Sequence, residues 1–396
     1  MSEQAIEHPT AVPQPAQTPF ERITLLLQGG GALGAYQAGV YQALHEAGLY
    51  PSWVAGISIG AINSALIAGN PLERRVERLR DFWEMVSASP LGLPNFTVLD
   101  PKDQFGRQFV NQAQAMNILL FGAPHFFSPR VPPPNLWPPS DPLKASYYDN
   151  SQLRTTLEKL VDFDLINKRQ IRFSVGAVDV CSGNFRYFDS NDCEIRFEHV
   201  MASGSLPPGF PATQVDGRYY WDGGLISNTP LQWVLDSYPR EDTLAFQVDL
   251  WSARGELPKD MIEVEIRQKE ILYSSRNRAA TEQYQNVQKL RIALANLLRQ
   301  IPEELRDGED AKLLATAAND KVCNIVHLIY RAKKYEGAAK DFEFSRRTME
   351  EHWNTGYANA RETLSNPQVL ELPDRNIGVR TFDVCGDQKP DKDASS

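Results

Sequence analysis

Two short apolar runs, Ile23 to Leu27 and Trp53 to Ile57, each end in a glycine turn that gives way to a helix-like pattern. A compact apolar run of this length is the pattern of a strand covered on both faces. After the first run, Gln28 to Gly34 (QGGGALG) breaks the chain. Tyr36, Val40 and Leu44 then follow at helical spacing, and Gly48 helps to end that helix. After the second, Gly56-Ile57-Ser58-Ile59-Gly60 leads into a stretch of Ala, Ile and Leu. Two strands joined by a helix imply a parallel pair with a right-handed crossover, so the core is expected to be α/β.

The remainder divides by composition. Residues 1–20 are rich in proline with scattered acidic residues, lack the basic start and apolar middle of a secretory leader, and are expected to form a disordered tail. Residues 21–255 are expected to form the catalytic core. Within it, 89–148 is an insert in which prolines (RVPPPNLWPPSDP) mingle with Phe105, Phe121, Phe126, Phe127 and Trp137; little regular structure is expected there, and a long irregular insert suits a lid or substrate wall or else a plain decorative insertion. Ile171 to Val180 and Phe185 to Asp189 read as two strands around a Gly-Asn turn. Residues 256–365 are expected to be a helical extension that returns one late core strand near 324–330, and 366–396 a C-terminal tail.

Three motifs could supply chemistry. Gly29, Gly30, Gly31 and Gly34 lie in a loop between strand and helix, where backbone N–H groups and a helix N-terminus make an anion cradle. Gly56 and Gly60 flank Ser58 in a turn that exposes the hydroxyl. Asp222 closes an apolar segment and is followed by Gly223 and Gly224, which leave its carboxylate uncovered. A nucleophile, a base and an oxyanion hole are the parts of an acyl-transfer site. Ser58 would attack, Asp222 would accept the proton, and N–H groups of the glycine loop and of Ile59 would hold the oxyanion. The loop alone also fits GxGxxG, which keeps open a nucleotide-binding oxidoreductase. That fold, however, wants a carboxylate at the end of the second strand, and here the strand ends in Gly56-Ile57-Ser58.

Taken together, the loop, the GxSxG serine and the Asp-Gly-Gly turn resemble the patatin-like phospholipases, over roughly Ile23 to Leu250 and the strand near Asn324. Ala202 to Pro211 (ASGSLPPGFP) and Asn228 with Pro230 are similar to further family segments. The resemblance implies a three-layer α/β sandwich with a mainly parallel central sheet and a C-terminal helical extension of a bacterial subgroup. It also implies a serine lipid acyl hydrolase with a Ser58–Asp222 dyad and an oxyanion hole at Gly29, Gly30, Gly31 and Ile59. Gly34, Gly56, Gly60, Gly223 and Gly224 support the motifs. Another acyl ester or an intracellular polyester would offer the same reacting carbonyl. One departure is Leu33, where many members carry Arg or Lys.

Neither a cofactor nor a metal is expected: histidines, cysteines and carboxylates show no ligand spacing. His327 and His352, the histidines after Asp222, sit in an apolar strand and on a polar helix, so a triad is not expected. A net charge of −9 argues against a nucleic-acid partner, and the aromatic insert suggests a lipid or acyl-ester substrate with peripheral contact at a lipid surface. Four cysteines without CxxC spacing suit a reducing, cytoplasmic location.

Overall fold

In the computed structural model, which describes residues 12–88, 104–136, 138, 141–302, 308–333, 335–337 and 339–386, the first apolar run is strand β1 (Arg22–Leu27). It is followed by α1 (Gly34–Glu46), β2 (Trp53–Gly56), α2 (Ile59–Ala68), α3 (Arg75–Val86) and α4 (Gln104–Phe121). A two-residue pair, β3 (Ser128–Pro129) and β4 (Tyr148–Asp149), leads to α5 (Ser151–Leu160) and α6 (Phe163–Asn167). Then come β5 (Arg172–Asp179), β6 (Phe185–Asp189), α7 (Phe197–Ser203), β7 (Thr213–Val215) and β8 (Arg218–Asp222). The chain continues through α8 (Leu231–Asp236), β9 (Thr243–Asp249), the 40-residue α9 (Met261–Gln300), β10 (Cys323–Ile329), a helix at Arg346–Leu364 and β11 (Val379–Phe382).

Nine strands form one sheet in the order β11-β10-β9-β1-β2-β5-β8-β7, with β6 added to β5. From β11 through β5 the pairing is parallel; β6, β7 and β8 join antiparallel. Alternate residues of the central strands feed two separate cores, as the period of two requires. Leu25 and Leu27 of β1 and Phe246 and Val248 of β9 pack on the face covered by α1, α2, α3 and the helix Arg346–Leu364. Leu26 and Ala245 pack on the face covered by α8 and Tyr284 of α9. The result is the expected three-layer α/β sandwich.

The pairing of β5 sets the level of the two ends that matter. Its Val175 lies opposite Gly56 of β2, and its Ala177 opposite Asp222 of β8. Because β6 already lines one edge of β5 over Ser174 to Val178, β2 and β8 must share the other. They therefore meet end to end beside β5, one stopping just before Ser58 and the other at Asp222.

Three expectations need correcting. The insert is not mainly irregular: α4 has 18 residues, formed by a proline-free stretch whose signal was masked by the prolines downstream, while 89–103 and Trp137 lie outside the described residues. The late strand β10 is not the last, because the stretch read as a tail holds β11, a four-residue run paired with a partner far away in sequence. Residues 12–20 are packed: Ala16 N–H donates to Gly48 O at 2.9 Å, the Tyr50 hydroxyl to Pro13 O at 2.6 Å, and Phe20 is buried. Among the described residues no helix is long and apolar enough to cross a membrane.

Candidate active site

Ser58 stands between the end of β2 and the start of α2 with φ 56° and ψ −124°, in the left-handed half of the map that L-residues avoid. What holds it there is crowding by backbone. A Cβ on Gly56 would lie 2.1 Å from Gly60 O, and one on Gly60 2.2 Å from Leu27 O, so neither position has room for a side chain. The Ser58 N–H is held by both the carbonyl and the hydroxyl of Ser203, each at 3.1 Å, and the Ser203 hydroxyl in turn donates to Gly176 O at 2.7 Å. Only the side chain of Ser58 is left to face outward, and it is half-buried.

Asp222, 1% exposed, ends β8. Its N–H donates to Ser205 O at 3.0 Å, so the segment Ala202 to Pro211 grips both halves of the site, Ser58 through Ser203 and Asp222 through Ser205. Asp222 Oδ1 accepts the Gly224 N–H at 2.7 Å, and the carboxylate that the two glycines were expected to leave uncovered is buried. Oδ2 has no fully formed hydrogen bond. Burial pushes the Asp222 carboxyl up to about 7; the facing Ser58 hydroxyl and the Gly224 N–H pull the other way by favouring the ionised form.

The glycine loop approaches from the other side. A Cβ on Gly29 would lie 3.0 Å from Ser58 Cβ and 2.4 Å from Asn228 Oδ1. The Gly29 N–H donates to Asn228 O at 3.3 Å, so Gly29, expected among the oxyanion donors, is engaged in anchoring the loop. Its carbonyl accepts from Asn228 Nδ2 and Trp251 Nε1, both at 3.0 Å. In a trans peptide the next N–H points opposite to the carbonyl, so these two bonds turn the Gly30 N–H away from Asn228 and Trp251. Among the described residues, the N–H groups of Gly30, Gly31 and Ile59 have no acceptor. Gly31, at φ 56°, abuts the backbone of Asp341, whose carbonyl takes the Ala32 N–H at 2.8 Å. Leu33 is wholly buried in the core, where an unpaired cation would be costly.

Several residues here carried no signal that motif reading could use. Gln28 accepts the N–H groups of Leu250 and Trp251 at 2.6 and 3.2 Å and donates to Tyr273 O on α9 at 3.1 Å, tying the loop to the extension. Tyr273 packs beside Trp251 with ring centroids 5.1 Å apart; burial raises its phenol, and the negative charges of Asp341 and Asp222 add to that. Asn228 carries no sequence signal beyond its Asn-x-Pro segment. No histidine among the described residues hydrogen-bonds Ser58 or Asp222: His327 lies 3.5 Å from Asp249, His352 is buried 3.4 Å from Glu336, and His199 is buried against Phe188 with its pKa lowered to about 4 by burial.

Residues 25–235 match the family model described as patatin-like phospholipase, and residues 271–376 a model described as patatin phospholipase. Among curated proteins, the lysophospholipase nte1 of Aspergillus terreus is 43% identical over 74 residues, covering 15% of this chain and 5% of that one. The triacylglycerol lipase ptl3 of Schizosaccharomyces pombe is 36% identical over 86 residues, covering 21% and 18%. The match thus spans less than a fifth of either relative's length. Solved structures similar to this chain include VipD of Legionella pneumophila, at 15% identity and TM-score 0.38 over 92% of this chain and 72% of that one. ExoU of Pseudomonas aeruginosa, solved with SpcU, has 17% identity and TM-score 0.28 over 75% and 61%.

Proposed function

Because the chain belongs to the patatin-like phospholipase family, we propose that it is a lipid acyl hydrolase cleaving carboxylic esters through a Ser58–Asp222 dyad and an acyl-enzyme. Ser58 Oγ attacks the ester carbonyl while its proton passes to Asp222 Oδ2, the carboxylate oxygen without a fully formed partner. The oxyanion takes the free N–H groups of Gly30, Gly31 and Ile59. Asp222 returns the proton to the departing alkoxide and the acyl group remains on Ser58; Asp222 then deprotonates a water that attacks the acyl carbon, and passes that proton to Ser58 Oγ as the Oγ–acyl bond breaks and the acid leaves. The single observation that carries this reading is the Ser58 hydroxyl, held out by a left-handed backbone, facing a buried carboxylate whose pKa of about 7 suits a general base near neutrality.

The proposed substrate is a hydrophobic carboxylic ester, the class shared by the lysophospholipids and triacylglycerols of the relatives' names. The proposed place of work is a lipid surface in the cytoplasm. An intracellular polyester belongs to the same chemical class, and a substrate panel separates them. A dinucleotide is disfavoured on two counts: β2 ends without the ribose-binding carboxylate, and the Ala32 N–H that a pyrophosphate would use is taken by Asp341.

The test is labelling with a fluorophosphonate and hydrolysis of short acyl esters. Ser58→Ala is expected to abolish both, and Asp222→Asn to lower hydrolysis at least about a thousandfold. Hydrolysis that survives Ser58→Ala at more than about a hundredth of the wild-type rate rejects the assignment.

A further inference from the structure

The outer face of α4 is unusual for a helix in water. It buries Val110, Ala115 and Ile118, yet its outward positions include Phe109 at 69%, Met116 at 53% and Leu120 at 60% exposed. Its one charged residue, Arg107, is spent on Glu351 at 2.6 Å. Uncharged apolar exposure on this scale marks a surface that meets something other than water.

Beside that face lies a cavity of about 370 Å³, within the range of small-molecule sites. Ala115, Met116 and Leu119 of α4 form one wall, and Ala339 and Phe342 another. Three charged residues also border it. Two already have partners: Glu336 accepts the Tyr330 hydroxyl at 2.6 Å, and Lys269 of α9 pairs with Asp341 at 3.0 Å. Glu265 is exposed, on the α9 side. Gln108 and Gln112 of α4 also line it, and most of the surface that an occupant meets is still hydrocarbon. Its place is equally telling. Phe342 follows Asp341, whose carbonyl closes on Gly31 and Ala32, so the cavity wall and the oxyanion loop share one short segment of backbone.

We propose that this cavity between α4, α9 and the Ala339–Phe342 segment receives the hydrocarbon chain of the ester whose carbonyl is held at Ser58. This rests on the hydrolase reading above and names the part of the substrate that the cavity selects. A chain seated there leaves through the apolar face of α4, which suits an acyl chain drawn from a lipid surface.

The experiment compares kcat/KM for p-nitrophenyl dodecanoate and butanoate in wild type, Met116→Trp and Ala339→Trp, with fluorophosphonate labelling as the control for an intact nucleophile. Both substitutions fill the cavity from partly exposed positions. Each is expected to lower the dodecanoate-to-butanoate ratio at least about tenfold with fluorophosphonate labelling retained, since each methylene denied burial weakens binding of the longer chain alone. Phe109→Ser, outside the cavity lining, should leave the ratio unchanged. A ratio unmoved in both cavity variants overturns the proposal. If wild type neither labels nor hydrolyses butanoate, the nucleophile assignment falls by itself. Binding of cis-parinaric acid to wild type then decides the cavity: saturable binding lost in Met116→Trp supports it, and absence of binding overturns it.

Discussion

The proposed dyad asks Asp222 to do something that its burial resists. Lifting its pKa to about 7 favours the neutral acid, whereas a base must be ionised. The sign is definite: kcat/KM is expected to be half-maximal near pH 7 and to fall about tenfold per unit below it, which a pH–rate profile measures. The same shift acts on stability in the opposite direction. Above pH 7 the folded state holds an ionised carboxylate without water, a penalty that fades as pH falls through 7 towards the unfolded value near 4. Asp222→Asn should therefore raise Tm at pH 8, by an amount equivalent to at most about 4 kcal/mol, and the gain should shrink by pH 5. Asn228→Ala removes one of two donors to Gly29 O; with Trp251 still bound, Tm should change little while kcat drops about ten- to a hundredfold, as expected when oxyanion donors lose their aim. Ser58, Asp222 and the glycines were legible in the sequence because tight turns demand particular residues at adjacent positions. Asn228 was not, because its bond to Gly29 spans 199 positions and no local pattern records it.

At the level of elements, β1, β2 and their helices were readable from hydrophobic runs bounded by glycine. The side-by-side order of strands was not, since pairing between β5 and β8 depends on which edge β6 has already filled. The crossing of α1 with the helix Arg346–Leu364 was equally hidden. A Cβ on Gly39 would lie 1.9 Å from Trp353 O, and one on Gly356 2.0 Å from Tyr36 O, so the two backbones touch at a pair of glycines far apart in the chain. Alanine at either position must push the helices apart. Gly39→Ala and Gly356→Ala are each expected to lower stability by about 1–3 kcal/mol in a denaturation experiment, with the double variant less than additive because both act on one crossing.

Over the whole molecule, the extension after residue 255 is woven into the core. It supplies β10 and β11, covers α1 with Trp353, and clamps the glycine loop through Tyr273 and Asp341. A chain ending at 255 would leave β9 as a naked edge and the apolar side of α1 in water. It is expected to aggregate or lack a cooperative melting transition, readable by circular dichroism and gel filtration. Composition separated this region correctly as helical but could not reveal that its loops reach the site, because those contacts are made by backbone carbonyls, which any residue possesses.

The Asp341 carbonyl against Gly31 and Ala32 also orders events in time. A ribosome completes all three glycine motifs, with the serine and the aspartate, well before it reaches Asp341 and the helix that follows. Until then the glycine loop, the proposed oxyanion cradle, lacks its fastening to the Asp341 backbone. With Ser58 and Asp222 in the proposed roles, hydrolytic competence is therefore expected only once the segment at Asp341 has been made and has closed on the loop.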